Sequence, residues 1–334
     1  MTRAQTQGLE VPDPGLEKKI LIRLNDVEAM LEKSVRSDTD VVTETASYLV
    51  AAGGKRFRPM LVLLSGYFGD PADPRLVRGA TAIEITHLAT LYHDDVIDEA
   101  DTRRGRPSVN AKWGNNVAIL TGDFLFARAS EISSELGTEV TRLLARTIAT
   151  VCDGQIREVE SWGRTDQSED AYLEVIRRKT AALIGTSCRL GGMLSDASPE
   201  TIELLDDFGQ ALGLAFQLSD DIMDVISSEE ELHKQPGQDM KLGVYTLPVL
   251  YALQDGRDGQ ELASLLSDGP PSGERLARAL ELVRGDGSLD RAREAVFSSV
   301  RRARRLADGL APGPAREALV HIADFLADRS AAPN

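Results

Sequence analysis

Apolar residues recur every three or four positions through most of this chain, and that spacing limits what it can fold into. Near the start they fall at Leu24, Val27 and Leu31, which is the period of an amphipathic helix. Similar segments follow, separated by short breakers: GG at 53–54, GDPADP at 69–74, RRGRP at 103–107, WGRTDQSED at 162–170, SDASPE at 195–200, KQPGQD at 234–239, SDGPPSG at 267–273 and LAPGP at 310–314. No βαβ alternation, strand ladder or internal repeat is visible, so the sequence predicts an all-α fold.

The segment TAALIGTSCRLGGML at 180–194 is apolar on nearly every side, which is typical of a helix in the middle of a bundle. Aromatic residues make up only 5% of the chain, a composition that favours helices over sheets. We expect one large helical domain over residues 15–330, with the C-terminal third on its outside, and a flexible polar arm over residues 1–14.

Composition narrows the classes of function. The formal net charge is -15, and no basic face of the kind that binds nucleic acid is evident. Cys152 and Cys188 are predicted to be buried free thiols, which fits a reducing cytoplasm. The first residues lack the apolar core of a signal peptide, and no apolar run approaches the roughly 20 residues of a membrane span.

Two segments, DDVID at 94–98 and DDIMD at 220–224, fit the pattern DDxxD. On a helix, Asp94 and Asp98 lie one turn apart and Asp95 sits about 100° round. Apolar segments lead into both motifs, and acids that end largely buried helices are costly unless a cation neutralises them. Oxygen ligands with no cysteine or paired histidine favour magnesium. For either motif alone, a solvated acidic face is the competing interpretation, and LLDDFGQ at 204–210 lacks a third acid and receives no role.

Arginines follow the first acidic motif at once. Arg103 and Arg104 add forked donors that match phosphate geometry, while Gly105 and Pro107 fix the loop that presents them. Acidic cluster and arginine pair together predict a site for a magnesium-bridged diphosphate.

A second cationic stretch, GGKRFRP at 53–59, lies at a helix boundary. Lys55 and Arg58 can share one side of the turn, and a helix N-terminus favours anions. His87 precedes Asp94 by seven residues and lies within about 20° of its azimuth. With Arg104 these residues predict a metal-free anion pocket; a solvated basic turn and a structural histidine are the alternatives.

Taken in order, GGKRFRP, HDDVIDEADTRRGRP (93–107), GDFLFA (122–127), RRKTAALI (177–184), FQLSDDIMDV (216–225) and KLGVYTLP (241–248) resemble the motifs of the all-trans polyprenyl (isoprenyl) diphosphate synthases. The resemblance implies an all-α bundle around a central cavity, of the isoprenoid synthase type, and a cytoplasmic homodimer. It also implies Mg²⁺-dependent head-to-tail (1'-4) condensation of isopentenyl diphosphate with an allylic diphosphate. It predicts no membrane span, and leaves room for a peripheral membrane contact when product is released.

The resemblance assigns roles residue by residue. Several magnesium ions would be held by Asp94, Asp95, Asp98, Asp220, Asp221 and Asp224. The allylic diphosphate would be bound by Arg103, Lys179 and Lys234, and isopentenyl diphosphate by Lys55, Arg58, His87 and Arg104. The allylic cation would be stabilised by Lys179, Thr180 and Gln217. One position departs from the pattern: the family reads GKxT where this chain has Val244, so one expected cation is missing unless Lys241 or Lys234 replaces it.

Small residues precede the first acidic motif, at the positions that line the growing chain in this family. They are Thr86, Ala89 and Thr90, and they predict an open shaft and a medium or long product, roughly C30 to C50. Phe124 or Phe126 would close the shaft sooner. A geranylgeranyl or farnesyl product is the alternative, as is ordinary helix packing by these small residues.

Other classes of protein stay open at this point. A class I terpene cyclase binds one diphosphate and would not need GGKRFRP, His87 and Arg104. A non-catalytic subunit of a heteromeric synthase tends to lose its acidic motifs, and both are intact here. A purely structural helical protein is the remaining alternative.

Overall fold

A computed structural model describes residues 11–227, 236–255, 258–285 and 287–331. Its regular structure is almost entirely helical, as the apolar spacing predicts. The helices up to the middle of the chain are α1 (Pro14–Ser34), α2 (Asp40–Ala51), α3 (Phe57–Ser65), α4 (Arg75–Ile97), α5 (Val109–Trp113), α6 (Asn115–Glu135) and α7 (Thr138–Ser161). A 3₁₀ turn over Gly66–Phe68 follows α3.

The chain continues with α8 (Glu169–Ile176), a π-helical turn (Arg177–Ala181), α9 (Ala182–Leu194), α10 (Pro199–Ile226), α11 (Gln238–Lys241), α12 (Leu247–Asp255), α13 (Gly259–Ser267), α14 (Gly273–Gly285), α15 (Ser288–Ala307) and α16 (Pro314–Ala331). The segment 180–194, predicted to be buried, is inaccessible at nearly every position.

The first helix shows how local chemistry sets an element's start. Asp13 caps α1, because its Oδ1 accepts a hydrogen bond from the backbone N–H of Leu16 at 2.6 Å, and Pro14 suits the first position. Val11 is buried. The last residues of the predicted arm are therefore packed or helical, and residues 1–10 lie outside the described part of the chain.

The segment 103–107 is more ordered than the predicted loop. Thr102–Arg103 (β1) pairs antiparallel with Arg106–Pro107 (β2). Arg104 and Gly105 between them both have left-handed backbones, with φ of 52° and 71°, the conformation that a tight hairpin turn requires. The expectation of no strand pairing fails here, because a non-glycine residue adopts the left-handed conformation at the turn.

The helices pack into two compact units, each with its own buried core. The first unit holds the described residues up to Ile148 with Leu183–Gly209 and Leu306–Ile322; the second holds Ala149–Ala182, Gln210–Arg305 and the described residues from Ala323 on. Buried residues of the first unit include Leu24, Leu31, Leu61, Leu64 and Ile83, and those of the second include Ile222, Leu250, Ala279, Val283 and Val296.

Both cysteines are free, but only Cys188 is buried; Cys152 is exposed, contrary to the prediction. Cys152 lies on α7, whose polar positions outnumber its apolar ones, so its thiol falls on the solvent side. No helix in the described residues is long and apolar enough to span a bilayer.

Candidate diphosphate and metal site

The first acidic motif forms the C-terminal end of α4, with Asp98 as the capping residue. Asp95 is 1% exposed. Its Oδ1 accepts a hydrogen bond from Arg103 Nε at 2.7 Å, whereas Oδ2 is buried without a hydrogen-bond partner. Burial raises the pKa of the Asp95 carboxyl, although the charge of Arg103 opposes that shift. Acids at the negative end of a helix dipole are unfavourable unless a cation is near.

These features fit a divalent cation that prefers oxygen ligands. Asp95 Oδ2 has unsatisfied acceptor capacity, and the other donors of the motif are carboxylates. Within the residues that the structure describes, no three acidic, histidine or cysteine side chains already stand close enough to hold an ion.

Arg104 connects the hairpin to the GGKRFRP stretch. Its Nη1 donates to the carbonyl oxygen of Leu49 at 3.0 Å and also to that of Gly53. The guanidinium lies over Gly54, where a Cβ would fall 3.1 Å from Arg104 Cζ. Burial lowers the pKa of Arg104, and Glu84 partly offsets that effect. Two stretches that are distant in the sequence are thus joined by the side chain of Arg104.

His87 lies among cations in the first unit. Burial lowers the pKa of its imidazole well below the ordinary value, and the charges of Arg58, Arg104, Arg103 and Arg56 act in the same direction. The imidazole is therefore neutral at physiological pH, so it can donate one N–H without adding charge. Lys55, the remaining predicted member, is exposed.

Arg56 is a residue that the sequence analysis missed. Its backbone is left-handed and its side chain is buried. It pairs with Glu28 at 2.5 Å and with Glu84 at 2.9 Å. Burial alone would lower the pKa of Arg56, but these two glutamates raise it. The available signal was Glu84 itself, a lone acid within the apolar segment AIEITHLATLY, which requires a buried cationic partner.

The second acidic motif belongs to α10 and has different surroundings. Asp221 is 1% exposed and accepts hydrogen bonds from the Tyr172 hydroxyl and from Gln217 Nε2, the latter at 2.9 Å. Burial raises the pKa of its carboxyl well above the usual range, and the nearby charges of Asp239, Asp224 and Glu158 raise it further. A buried carboxyl whose charged neighbours are mainly other acids fits a metal site.

The other two aspartates of this motif take different partners. Asp220 pairs with Nη1 of Arg329 at 2.6 Å. Asp224 accepts from the backbone N–H groups of Gln238 and Asp239 at 3.2 and 3.3 Å. The roles of Tyr172, Glu158, Asp239 and Arg329 were not predicted, because nothing in their local sequence shows which distant aspartate they meet.

Lys179 and Thr180 lie in the π-helical turn, and such turns are frequent at functional sites. Lys179 Nζ donates to Glu158, and Thr180 Oγ1 donates to Gln217 Oε1 at 2.8 Å. Gly154 lets α7 come close, because a Cβ there would lie 2.5 Å from the backbone nitrogen of Lys179. The second unit therefore holds Thr180 against Gln217, with Lys179 beside them in the π-helical turn.

The remaining predicted residues lie in several parts of the chain. Lys234 lies outside the described residues. Lys241 and Val244 are half-buried at and after α11. Thr86 and Ala89 are buried within α4, while Thr90 is half-buried and donates to the His87 carbonyl at 2.7 Å. The rings of Phe126 and His93 are 5.6 Å apart, and Phe124 lies under Arg128.

Comparison with known proteins decides the family. A family model described as polyprenyl synthetase matches residues 39–283. The chain belongs to the polyprenyl synthetase family. This polyprenyl synthetase is 41% identical to the nonaprenyl diphosphate synthase of Mycobacterium tuberculosis, over 96% of the chain and 97% of the relative. It is also 41% identical to component 2 of the heptaprenyl diphosphate synthase of Geobacillus stearothermophilus, over 91% and 94%.

A solved structure shares both fold and sequence with this polyprenyl synthetase. The geranylgeranyl pyrophosphate synthase of Corynebacterium glutamicum, crystallised with calcium and isoprenyl diphosphate, has a TM-score of 0.85 and 41% identity, over 96% of this chain and 99% of that one. The polyprenyl synthetase described here is thus a prenyltransferase with the all-α isoprenoid synthase type of fold, as its motifs predict.

Proposed function

We propose that this chain condenses isopentenyl diphosphate head-to-tail with an allylic diphosphate to give an all-trans polyprenyl diphosphate. The observation that carries the proposal is the cationic group of Arg58, Arg104 and neutral His87 beside the acidic end of α4. A second anion pocket next to a metal-binding motif suits two diphosphate substrates. A terpene cyclase, which binds one diphosphate, would have no use for it.

Magnesium is the proposed cofactor. Its ligands would come from Asp94, Asp95, Asp98, Asp220, Asp221 and Asp224, of which Asp95 and Asp221 are the most buried. When bound, the metal stabilises negative charge that develops on the departing diphosphate. The C. glutamicum structure contains calcium, a hard cation of the same charge, which supports a divalent ion in this family.

The chain's own residues would position the two substrates. Arg103 and Lys179, with Lys234, bind the allylic diphosphate; Lys55, Arg58, His87 and Arg104 bind that of isopentenyl diphosphate. The hydroxyl of Thr180 and the amide of Gln217 present fixed dipoles to the allylic carbons as the C–O bond breaks. The isopentenyl double bond then forms the new C–C bond, and the proton it loses goes to the departing diphosphate, since no dedicated base is evident.

We propose a medium or long product, roughly C30 to C50. Ala89, Thr86 and Thr90 are small, and two relatives are named for nonaprenyl and heptaprenyl products. The second candidate is geranylgeranyl diphosphate, which the 41% identity to the C. glutamicum enzyme favours.

We propose a homodimer that works in the cytoplasm. On α6, Ile119 is 40% and Leu120 is 67% exposed, which gives the helix an apolar surface for a second copy. The two free cysteines fit a reducing compartment. Because one relative is named component 2, light scattering of the purified chain, alone and after pull-down from its source, tests a homodimer against a heteromer.

The deciding experiment incubates the purified chain with radiolabelled isopentenyl diphosphate, magnesium and each allylic primer in turn, followed by chain-length analysis. We expect extended products only when both substrates and the metal are present. Consumption of the allylic diphosphate alone would indicate a cyclase. Inactivity with every primer would indicate a non-catalytic subunit.

A further inference from the structure

The second unit contains a groove that the proposed reaction does not use. It is a cavity of about 480 Å³ bordered by α8, α10, α12 and α15. None of the residues assigned to either substrate or to magnesium lines it. On α10 the groove is bordered by Ala211, Leu214 and Leu218, which precede the second acidic motif, and none of the three aspartates of that motif lines it.

The floor of this groove is apolar. Ala211, Leu214 and Leu218 follow each other at spacings of three and four on α10, and Leu173 of α8 completes the surface. Each of the three α10 residues is buried by its neighbours, yet borders the cavity. Leu173 is half-buried and still presents apolar surface, so a hydrocarbon segment along this floor would gain dispersion contacts with it and with the buried α10 side chains.

The rim of the groove is cationic, although the chain as a whole is acidic. Four arginines and two glutamates line it. Both glutamates already have arginine partners: Glu169 pairs with Arg291 at 3.2 Å and Glu294 with Arg301 at 2.6 Å. The rim therefore keeps an excess of positive charge.

Two of the arginines, Arg302 and Arg305, lie on one side of α15 at a spacing of three. Neither forms a hydrogen bond or an ion pair with any residue in the described ranges. Like charges at this spacing repel, so an anion with several oxygens would relieve the repulsion and accept forked hydrogen bonds.

Arg291 forms the other end of the rim and is held in place. Its Cζ lies 3.7 Å from the centroid of the Tyr251 ring, and it also pairs with Glu169. A guanidinium fixed by stacking and by an ion pair loses little freedom when it meets a ligand.

We propose that this groove is a second binding site for a prenyl diphosphate, with the diphosphate at Arg302 and Arg305 and the chain along Leu214 and Leu218. The unpaired Arg302 and Arg305 indicate where the diphosphate head group binds. The apolar floor indicates where the hydrocarbon tail lies. The identity of the tail rests on the proposed function, which makes prenyl diphosphates the anionic amphiphiles that this protein produces. A concave site of this size suits one molecule better than a flat membrane surface.

The test measures binding of radiolabelled farnesyl diphosphate by equilibrium dialysis in EDTA, below its micelle concentration. The variants are Arg302→Gln and Arg305→Gln. The matched control is Arg304→Gln, a neighbour on α15 that pairs with Asp324 and does not line the groove. We expect each groove variant to weaken binding about tenfold, the usual effect of losing one hydrogen bond to a charged group, and the control to stay within twofold.

Further binding measurements distinguish a prenyl diphosphate from other anionic ligands. Inorganic diphosphate alone should bind more weakly than farnesyl diphosphate, and farnesol alone should compete poorly. Equal affinity of all four proteins for farnesyl diphosphate would overturn the proposal. So would equally tight binding of inorganic diphosphate, or arginine-dependent sedimentation with phosphatidylglycerol vesicles without any dialysis signal. Condensation assays of the same variants with magnesium show separately whether the proposed function holds.

Discussion

The two acidic motifs read almost alike in sequence but differ in how the protein treats their buried carboxylates. Asp95 in the first unit faces the guanidinium of Arg103 and keeps one oxygen without a partner. Asp221 in the second unit is held by two uncharged donors, Tyr172 and Gln217, and lies near three other acids. A cation of the protein thus partly neutralises the buried carboxylate of the first motif, whereas in the second motif the cation, Arg329, pairs with Asp220 and not with the buried Asp221. The pattern DDxxD identifies the chemical type of the ligands. It does not determine how far protein groups neutralise the charge of the carboxylates before a metal binds.

Removing one ligand tests whether both motifs serve the reaction. Asp94→Ala and Asp220→Ala should each lower kcat by about 10²–10³-fold, because charge on the departing diphosphate loses stabilisation. Steady-state kinetics and circular dichroism measure turnover and fold. Asp207→Ala, in the acidic pair that received no role, is the control. Near-normal turnover of either variant would remove its motif from the site.

Arg56 is a buried arginine of the first unit with two carboxylate partners, Glu28 and Glu84, and the described residues of the second unit contain no buried arginine. Arg56→Met should reduce the free energy of unfolding by about 3 kcal/mol, because Glu84 is left buried without its partner. Urea denaturation measures the loss. Arg78→Met, which breaks only the exposed pair with Glu135, should cost less than about 1 kcal/mol. Similar losses in the two variants would show that the buried pair is not an anchor.

Neutralising each buried aspartate compares the motifs directly. Without metal, Asp221→Asn should raise the melting temperature by a few degrees, since one of several buried like charges is removed. Asp95→Asn should raise it less, because Arg103 already offsets part of the burial cost. Added magnesium should stabilise the wild-type protein more than either variant. An equal or larger gain for Asp95→Asn would contradict the proposed difference.

His87 should make the first unit sensitive to acid. Its pKa in the folded protein is depressed, so the unfolded chain binds the proton more readily and stability falls as pH drops below about 6.5. His87→Gln should remove part of this decline in urea denaturation from pH 7 to 5. His321→Gln, an exposed histidine of α16, should leave the pH profile unchanged. A wild-type profile in His87→Gln would rule out the cationic environment described for it.

The mildest change concerns product length. Thr90→Phe places a ring at a half-buried position, and Ala89→Phe at a buried one. Both should shorten the product by one or more isoprene units while consumption of isopentenyl diphosphate remains measurable. Thr90→Val is the control for loss of the hydroxyl. Thin-layer analysis of dephosphorylated products reads the outcome, and unchanged lengths in both variants would show that these positions do not limit growth.

The sequence predicted the helices well because their apolar period is local information. The end of α2 just before Gly53 falls where expected, whereas α8 begins at Glu169, within the last two residues of the predicted loop 162–170. The hairpin at 102–107 was missed, since the left-handed turn at Arg104 is held by the distant carbonyls of Leu49 and Gly53. Of the predicted members of the anion pocket, the charges of Arg58 and Arg104 act on His87 whereas Lys55 is exposed, and the assignment of all four to a substrate stays a prediction.

The side chains that contact the second acidic motif could not be predicted from the sequence for a similar reason. Glu158, Tyr172 and Arg329 meet their aspartates through tertiary packing. Spacing rules describe one helix at a time, so they give the azimuth of Asp221 but not the identity of the side chain opposite it.

The guanidinium of Arg104 occupies the space that any side chain at residue 54 would need. The residues that position 54 can accept therefore depend on the residue at position 104, although the two positions are far apart along the chain. A mutagenesis library that diversifies residue 54 alone would force the Arg104 guanidinium to shift in every variant, whereas a library that also shortens the side chain at 104 would relieve that contact.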